Sequence, residues 1–309
     1  MQALVAAPGA TGNLELRDVE EPTPGPHDAV VAVQAVSLNR GEVRALATAA
    51  GGWRPGWDLA GEVVAAATDG TGPGDGERVV GLVPSGAWAE RVAVNTSTLV
   101  PIPDALSFPA ASTLPVAGLT AHAALAVGGV IDGRRVLVTG AAGGVGRFAV
   151  QLAAHGGARV TAVVGSPERG EGLVELGADE VVDGMPTDGE FDLVLESVGG
   201  SSLATALAVL APGGTVVSYG NSSGDDTTFD SSAFRQKGAT LYGLVLAHEL
   251  QRTGAAVRDL AYLAGLTATG RLDPQISVVA NWRKAADVTK ALMDRRVKGK
   301  AVLLTGGDG

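Results

Sequence analysis

Cysteine is absent from the 309 residues. That absence excludes disulfides, a thiolate nucleophile, iron–sulfur ligation and every zinc site built on cysteine. Histidine, at four residues, is the only soft ligand left. Basic charge is in deficit, since 23 Lys and Arg stand against 33 Asp and Glu, giving a net charge of −10 and an isoelectric point near 4.9. The average surface therefore repels phosphate backbones and anionic membranes, and nucleic acid is not an expected partner. Charged residues make up 18 % of the chain and hydrophobic ones 46 %, with mean hydropathy +0.23, which excludes disorder for most of it. The length suggests about two domains at ~150 residues each.

What is abundant is glycine, 45 residues, with 15 prolines. They fall between apolar runs instead of forming tracts, as an α/β chain with many tight connections requires. The start of the chain shows neither a basic segment nor a long apolar core, so the expectation is a cytoplasmic protein. Between Asp104 and Asp132 no formally charged side chain occurs. Pro109, Pro115, Gly118, His122 and Gly128-Gly129 interrupt that stretch, which predicts a buried helix pair and no membrane span.

The first hundred residues read as β-rich, with short runs at Ala29–Val33, Glu62–Ala65 and Arg78–Leu82 bounded by turn formers. From Val136 strand candidates alternate with helical segments: 136–139, 160–164, 180–182, 193–195, 215–219 and 240–244, with helices starting near Val145 and Leu203. That alternation implies βαβ crossovers and a doubly wound parallel sheet. Past Arg252 the chain offers a helix and then β-like runs at 275–279 and 301–304. A middle domain inserted between two β-rich pieces is the simplest arrangement, with boundaries at 1–118, 119–251 and 252–309.

The strongest motif is Val136-Leu137-Val138-Thr139-Gly140-Ala141-Ala142-Gly143-Gly144-Val145-Gly146, followed by a helix-compatible run. A strand that turns sharply into a helix through residues lacking Cβ lets backbone N–H groups approach a pyrophosphate at the positive helix terminus. Against G-x-G-x-x-G the fit is Ala141, Gly143 and Gly146, at a strand-to-helix junction, which is the confirming context. About 20 residues further on, where an NAD site carries Asp or Glu, the chain reads Gly165-Ser166-Pro167-Glu168-Arg169. Neutral Ser166 accommodates a 2′-phosphate and Arg169 pairs with one, so NADPH is expected over NADH, with Glu168 opposing if it points inward.

Six segments occur in order: Asn39 after Val36-Ser37-Leu38, Pro55-Gly56-Trp57-Asp58-Leu59-Ala60-Gly61, Gly74-Asp75-Gly76-Glu77-Arg78-Val79, Gly118-Leu119-Thr120-Ala121, the Ala-Ala-Gly-Gly-Val-Gly loop, and Tyr219-Gly220-Asn221-Ser222-Ser223-Gly224. Together they resemble the zinc-independent quinone oxidoreductase branch of the medium-chain dehydrogenase/reductase superfamily, over nearly the whole chain. The resemblance implies a Rossmann domain inserted in a GroES-like β-rich catalytic domain, an NADPH site in the cleft, and a homodimer. It places Asn39 beside nicotinamide and substrate, Thr120 at the nicotinamide end, and Gly220, Asn221 and Ser222 near pyrophosphate and nicotinamide. Ala142, Gly143, Gly144, Val145 and Gly146 become the phosphate loop, Arg169 the 2′-phosphate residue, and Lys300 in Gly299-Lys300-Ala301-Val302 a reach toward the cofactor phosphates. Asn39 has a second use as a helix cap.

The chain also departs from its relatives. Metal-dependent members bind zinc through Cys and a Gly-His-Glu element, where this sequence has no Cys and reads Gly56-Trp57-Asp58, so no metal site is expected. The Tyr that donates a proton in enoyl-thioester reductases is missing between Arg44 and Arg54, which leaves Tyr242 as a candidate donor. Without an evident acid–base pair the cofactor carries the chemistry. The expected reaction is NADPH-dependent reduction of a small quinone or α,β-unsaturated carbonyl. An enoyl-thioester reductase, with a basic rim of Arg40, Arg44 and Arg54, and a non-catalytic NADPH sensor are the alternatives. Trp53 and Trp57 offer either an apolar wall for a ring or core packing, and His122 either a proton relay or a structural role.

Overall fold

The computed structural model describes residues 1–306. The chain forms two compact units, Met1–Leu119 together with Gly254 onward, and Thr120–Thr253.

The first unit begins with an antiparallel pair, β1 (Gln2–Ala6) and β2 (Leu14–Asp18), followed by β3 (Asp28–Ser37), β4 (Asp58–Ala65), β5 (Arg78–Leu82), β6 (Arg91–Asn95) and β7 (Leu99–Pro101). Runs such as Asp-Ala-Val-Val-Ala-Val in β3 carry β-branched residues whose stiff side chains suit a pleated surface.

The second unit holds β8 (Arg135–Val138), β9 (Arg159–Val164), β10 (Glu180–Asp183), β11 (Phe191–Glu196), β12 (Leu210–Ser218) and β13 (Thr240–Gly243). All are parallel, in the spatial order β10-β9-β8-β11-β12-β13. Counted from β8 that is 3-2-1-4-5-6, the doubly wound order with its reversal between β8 and β11. Val136, Leu137, Val138, Leu193, Val194 and Leu195 are fully buried in its two central strands, as a sheet covered on both faces requires.

The chain then returns to the first unit with β14 (Ile276–Asn281) and β15 (Lys300–Leu304), which complete a seven-stranded sheet ordered β14-β15-β3-β4-β5-β7, with β6 on β3. The helix Ala256–Ala268 buries Leu260, Leu263 and Ala264 and exposes Tyr262, the spacing of one apolar helix face. Register in this sheet has a consequence for the site. Strand β15 runs antiparallel to β3 with Val302 opposite Ser37, and β4 runs antiparallel to β3 with Ala60 opposite Ala35. The beginnings of β15 and β4 therefore flank the end of β3, which brings Lys300, Asn39 and Asp58 side by side.

The uncharged stretch after Asp104 folds as a short helix Phe108–Ser112, a π-turn Leu114–Gly118 and the helix Leu119–Val127. Among the described residues no helix is long and apolar enough to cross a membrane.

Candidate active site

In the second unit β8 ends at Val138 and the helix Gly144–His155 begins six residues later. Gly140 takes φ +59°, and Gly143 N–H donates to its carbonyl at 2.9 Å, closing the turn. A Cβ on Gly146 would stand 2.5 Å from Gly140 O and 2.6 Å from Ala141 Cα, both backbone atoms. Only glycine allows the helix to approach the strand this closely. The first-turn N–H groups of Gly144, Val145 and Gly146 have no intrahelical acceptor and face the positive end of the helix dipole. With the reversal of strand order beside it, this loop could hold a dinucleotide pyrophosphate. Ala142, within this loop, is buried.

Ser166 and Arg169 lie half-buried in the turn after β9, with Arg169 N–H on Ser166 O at 3.1 Å, and Glu168 is exposed. The loop after β12 runs against the loop after β11. Ser222 N–H donates to Ser197 O and Ser223 N–H to Val198 O. A Cβ on Gly220 would lie 3.1 Å from Ser197 O. Asn221 shapes its own loop, its Oδ1 accepting from Gly224 N–H at 2.9 Å and from Ser223 Oγ at 3.2 Å. Thr120 is nearly sealed, at 6 % exposure, near the start of its helix.

Glu196, at the end of β11, was not singled out from the sequence. It is fully buried and accepts from Val198 and Gly199 N–H, from Ser202 Oγ at 3.0 Å and from Thr139 Oγ1 at 3.4 Å. Thr139 Oγ1 in turn accepts from Ser197 N–H at 2.9 Å. This carboxylate thus ties the ends of β8 and β11 together at the reversal point. Its signal was a charged residue closing the apolar run Leu193-Val194-Leu195.

In the first unit a second polar cluster forms where β15, β3 and β4 meet. Ser37, Glu42 and Asp58 are fully buried and Lys300 is 2 % exposed, whereas Asn39 is half-buried. Lys300 Nζ donates to Asn39 Oδ1 at 2.9 Å and to Leu38 O at 3.1 Å, and lies 3.7 Å from Asp58 Oδ2. Asn39 Nδ2 donates to Asp58 Oδ2 at 2.8 Å and makes a longer contact of 3.4 Å with Glu42 Oε1. Asp58 also accepts from Ser37 Oγ at 2.6 Å and, through Oδ1, from Val116 N–H at 2.9 Å in the π-turn. Glu42 accepts from Asn39 N–H at 2.7 Å and from Trp57 N–H at 2.9 Å. Lysine only donates and an ionised carboxylate only accepts, so the network fixes which end of the Asn39 amide is oxygen.

Burial pushes the Glu42 carboxyl up to about 8, reinforced by the Asp58 charge and opposed by the Asn39 and Trp57 N–H groups and Lys300. Burial pulls the Lys300 ammonium down, against the attraction of Asp58 and Glu42. A carboxyl whose pKa is raised on folding binds a proton more tightly in the folded state. It therefore contributes stability below the unfolded value of 4.5 that is lost as pH rises through about 8. Glu42→Gln is expected to flatten this slope between pH 5 and 8 in thermal or denaturant unfolding. Its overall stability should drop by about 1–2 kcal/mol, because an amide N–H₂ would then face a backbone donor. A variant with the wild-type slope would show that Glu42 is not the titrating group.

Two of the expected residues are engaged by other groups. The Lys300 ammonium is held by Leu38 O and Asn39 Oδ1 within the first unit. Tyr242 is poorly suited to give up a proton. Its hydroxyl donates to Glu249 Oε2 at 2.8 Å, and that bond, with burial and the carboxylate charge, raises its pKa. Glu249 is itself held by Arg252. Asn39 caps the helix Arg40–Ala45, its N–H bonded by the Glu42 side chain, and its amide belongs to the buried network. Trp53 packs against the core of the first unit, and the Trp57 ring lies so near Gly41 that a Cβ there would be 2.6 Å from it. His122 sits half-buried within its helix.

Residues 144–261 match the family model of zinc-binding dehydrogenases, and residues 25–104 that of the alcohol dehydrogenase GroES-like domain. The quinone oxidoreductase of Pseudomonas aeruginosa is 32 % identical over 317 residues, covering 97 % of this chain and 98 % of that protein. The chain belongs to the quinone oxidoreductase-like enzymes of the medium-chain dehydrogenase/reductase superfamily. A mycobacterial member solved in complex with NADPH superimposes with a TM-score of 0.88 at 26 % identity, covering 98 % of this chain and 99 % of that one. The spectinabilin polyketide synthase system protein NorB of Streptomyces orinoci is 34 % identical over 285 residues, 88 % of this chain. The chain spans only 13 % of that synthase's length. Despite the zinc in the name of the matched model, no group of three or more His, Asp or Glu side chains among the described residues could hold a metal ion.

Proposed function

We propose that this chain is an NADPH-dependent, metal-independent reductase that delivers a hydride to a quinone or an α,β-unsaturated carbonyl compound. The observation that carries the reading is the dinucleotide-type loop of the second unit; the first unit, by itself, holds an amide oriented by buried charges. The dinucleotide fits on structural grounds, since the space beside Gly140 and Gly146 tolerates no Cβ and the helix terminus supplies N–H donors. Ala142 to Gly146 would hold the pyrophosphate, Ser166 and Arg169 the 2′-phosphate, and Thr120, Gly220, Asn221 and Ser222 the nicotinamide side. When bound, the dihydronicotinamide would supply a hydride, one proton with two electrons, to an electron-poor carbon.

The chain's own contribution is positioning and charge stabilisation. Asn39 Nδ2 has one N–H committed to Asp58 at 2.8 Å, while the other makes only a 3.4 Å contact. That looser N–H faces the acceptor oxygen, where negative charge accumulates during reduction. A donor already held in place stabilises that charge without reorganising. Tyr242 being engaged by Glu249, water supplies the final proton. A homodimer belongs to the same reading.

The test is NADPH and NADH oxidation against a naphthoquinone, a simple enone and a short enoyl thioester, with cofactor binding followed in parallel. Turnover with NADPH supports the reductase. Tight NADPH binding with no turnover on any acceptor would favour a sensor instead. Arg169→Ala is expected to raise the KM for NADPH by about 10–100-fold, the loss of a bidentate charge-assisted contact, and to leave that for NADH unchanged. Equal effects on both cofactors would remove Arg169 from the phosphate site.

The enoyl-thioester alternative keeps one specific support, an arginine of the first unit that no carboxylate satisfies.

A further inference from the structure

Arg40 and Arg54 flank the Asn39 and Asp58 segments but differ in environment. Arg40 is engaged, its Nη1 donating to Leu292 O at 2.8 Å. Arg54 is half-buried, and its Nε is sealed from solvent with no acceptor. Among the described residues it has no ion-pair partner, although the chain contains 33 carboxylates. Burial lowers the guanidinium pKa, so desolvation of the charge goes uncompensated within the unit.

The backbone around it is nevertheless firmly held. Ser85 Oγ donates to Arg54 O, Trp88 N–H to Pro55 O at 3.2 Å and Ala87 N–H to Gly56 O at 3.1 Å. Gly86, at φ +91°, faces the side chain without a Cβ, and one built there would come 3.8 Å from Arg54 Nε. Three residues further on, Trp57 N–H is bonded to Glu42. The segment that fixes Arg54 is thus the one that completes the Asn39 network. A half-buried guanidinium on a rigid base, without an ion-pair partner among the described residues, has charge left to satisfy with a planar or tetrahedral oxyanion.

We infer that Arg54 recognises an anionic group, a phosphate or a carboxylate, on the acceptor that the Asn39 site reduces. The inference rests on the reductase reading and narrows it from neutral quinones and enones to acceptors carrying a negative charge. A phosphate fits a thioester on a phosphopantetheine arm, and a carboxylate fits an unsaturated oxo acid.

Calorimetric binding to the full chain, with NADP⁺ present to fill the dinucleotide loop, separates these sources. Two matched pairs are used: crotonyl-4′-phosphopantetheine against crotonyl-pantetheine, and 4-oxopent-2-enoate against pent-3-en-2-one. The wild type should bind the anionic member of one pair at least about tenfold more tightly than its neutral counterpart, the scale of one charge-assisted contact. Which pair responds identifies phosphate or carboxylate. Arg54→Gln should abolish that preference without altering affinity for the neutral member, and Arg54→Lys should retain part of it. Equal affinities within both pairs, no binding of either anion, or a preference that survives Arg54→Gln would each overturn the inference. NADPH oxidation on the same four compounds is scored separately. An intact anion preference with no turnover anywhere would sink the reductase reading and leave the Arg54 site standing.

Discussion

Lys300→Met is expected to lower stability by about 3–5 kcal/mol, the usual consequence of removing one partner from a buried ion pair, and to reduce kcat/KM by about 100-fold. Among the described residues Lys300 supplies the positive charge of the cluster, and Asp58 and Glu42 are fully buried beside it. Without the ammonium, the Asp58 charge is left uncompensated, and Glu42 is driven further toward its neutral form. Asn39 Oδ1 also loses its donor, so the amide is held from the Nδ2 side alone, by Asp58 and Glu42, and presents its N–H to an acceptor oxygen less rigidly. The catalytic loss should therefore appear in kcat, with the KM for NADPH little changed, because the dinucleotide loop belongs to the other unit. The double variant Lys300→Met/Asp58→Asn removes both charges and should regain part of the stability but none of the rate. Thermal unfolding and steady-state kinetics on the three proteins decide the matter. A Lys300→Met protein as stable as wild type would show that the pair is energetically idle.

This cluster also marks where sequence reasoning stopped. Gly140 to Gly146 could be interpreted from the chain because the constraint is local: a strand, a turn without Cβ and a helix lie within a dozen consecutive residues. That β8 to β13 form a doubly wound parallel sheet followed from alternation for the same reason. Lys300 and Asn39 are 261 positions apart, and only the antiparallel register of β15 on β3 makes them neighbours. A terminal lysine is ordinarily solvated, so its burial was invisible without that register. Nothing in the sequence singles out Glu42, and Asp58 stands out only within Gly56-Trp57-Asp58, where metal-dependent relatives carry a Gly-His-Glu element. Their shared role comes from tertiary contacts with Ser37, Trp57 and Val116 that no spacing rule encodes. Tyr242 is a different case, since its hydrogen-bond partner Glu249 is only seven positions away but lies across the turn after β13, in a helix of its own.

Gly146→Ala is expected to weaken NADPH binding by at least about 30-fold while costing about 1–3 kcal/mol of stability, the range for forcing an extra methyl into a packed site. The new Cβ would stand 2.5 Å from Gly140 O and 2.6 Å from Ala141 Cα, and neither is the far end of a flexible side chain that could swing aside. Relief requires the helix Gly144–His155 to back away from β8 or the Gly140 turn to open. Either movement shifts the first-turn N–H groups away from the position where a pyrophosphate is held. Gly143 provides the internal comparison. A Cβ there would meet Gly140 O at 3.2 Å, a contact that a few tenths of an ångström relieve, so Gly143→Ala should lose markedly less affinity than Gly146→Ala. Fluorescence titration with NADPH, alongside thermal unfolding without cofactor, separates loss of binding from loss of fold. Equal affinities for the two variants would mean that helix-to-strand approach does not set the phosphate position. The ordering Gly146→Ala weaker than Gly143→Ala ties cofactor affinity to one backbone contact.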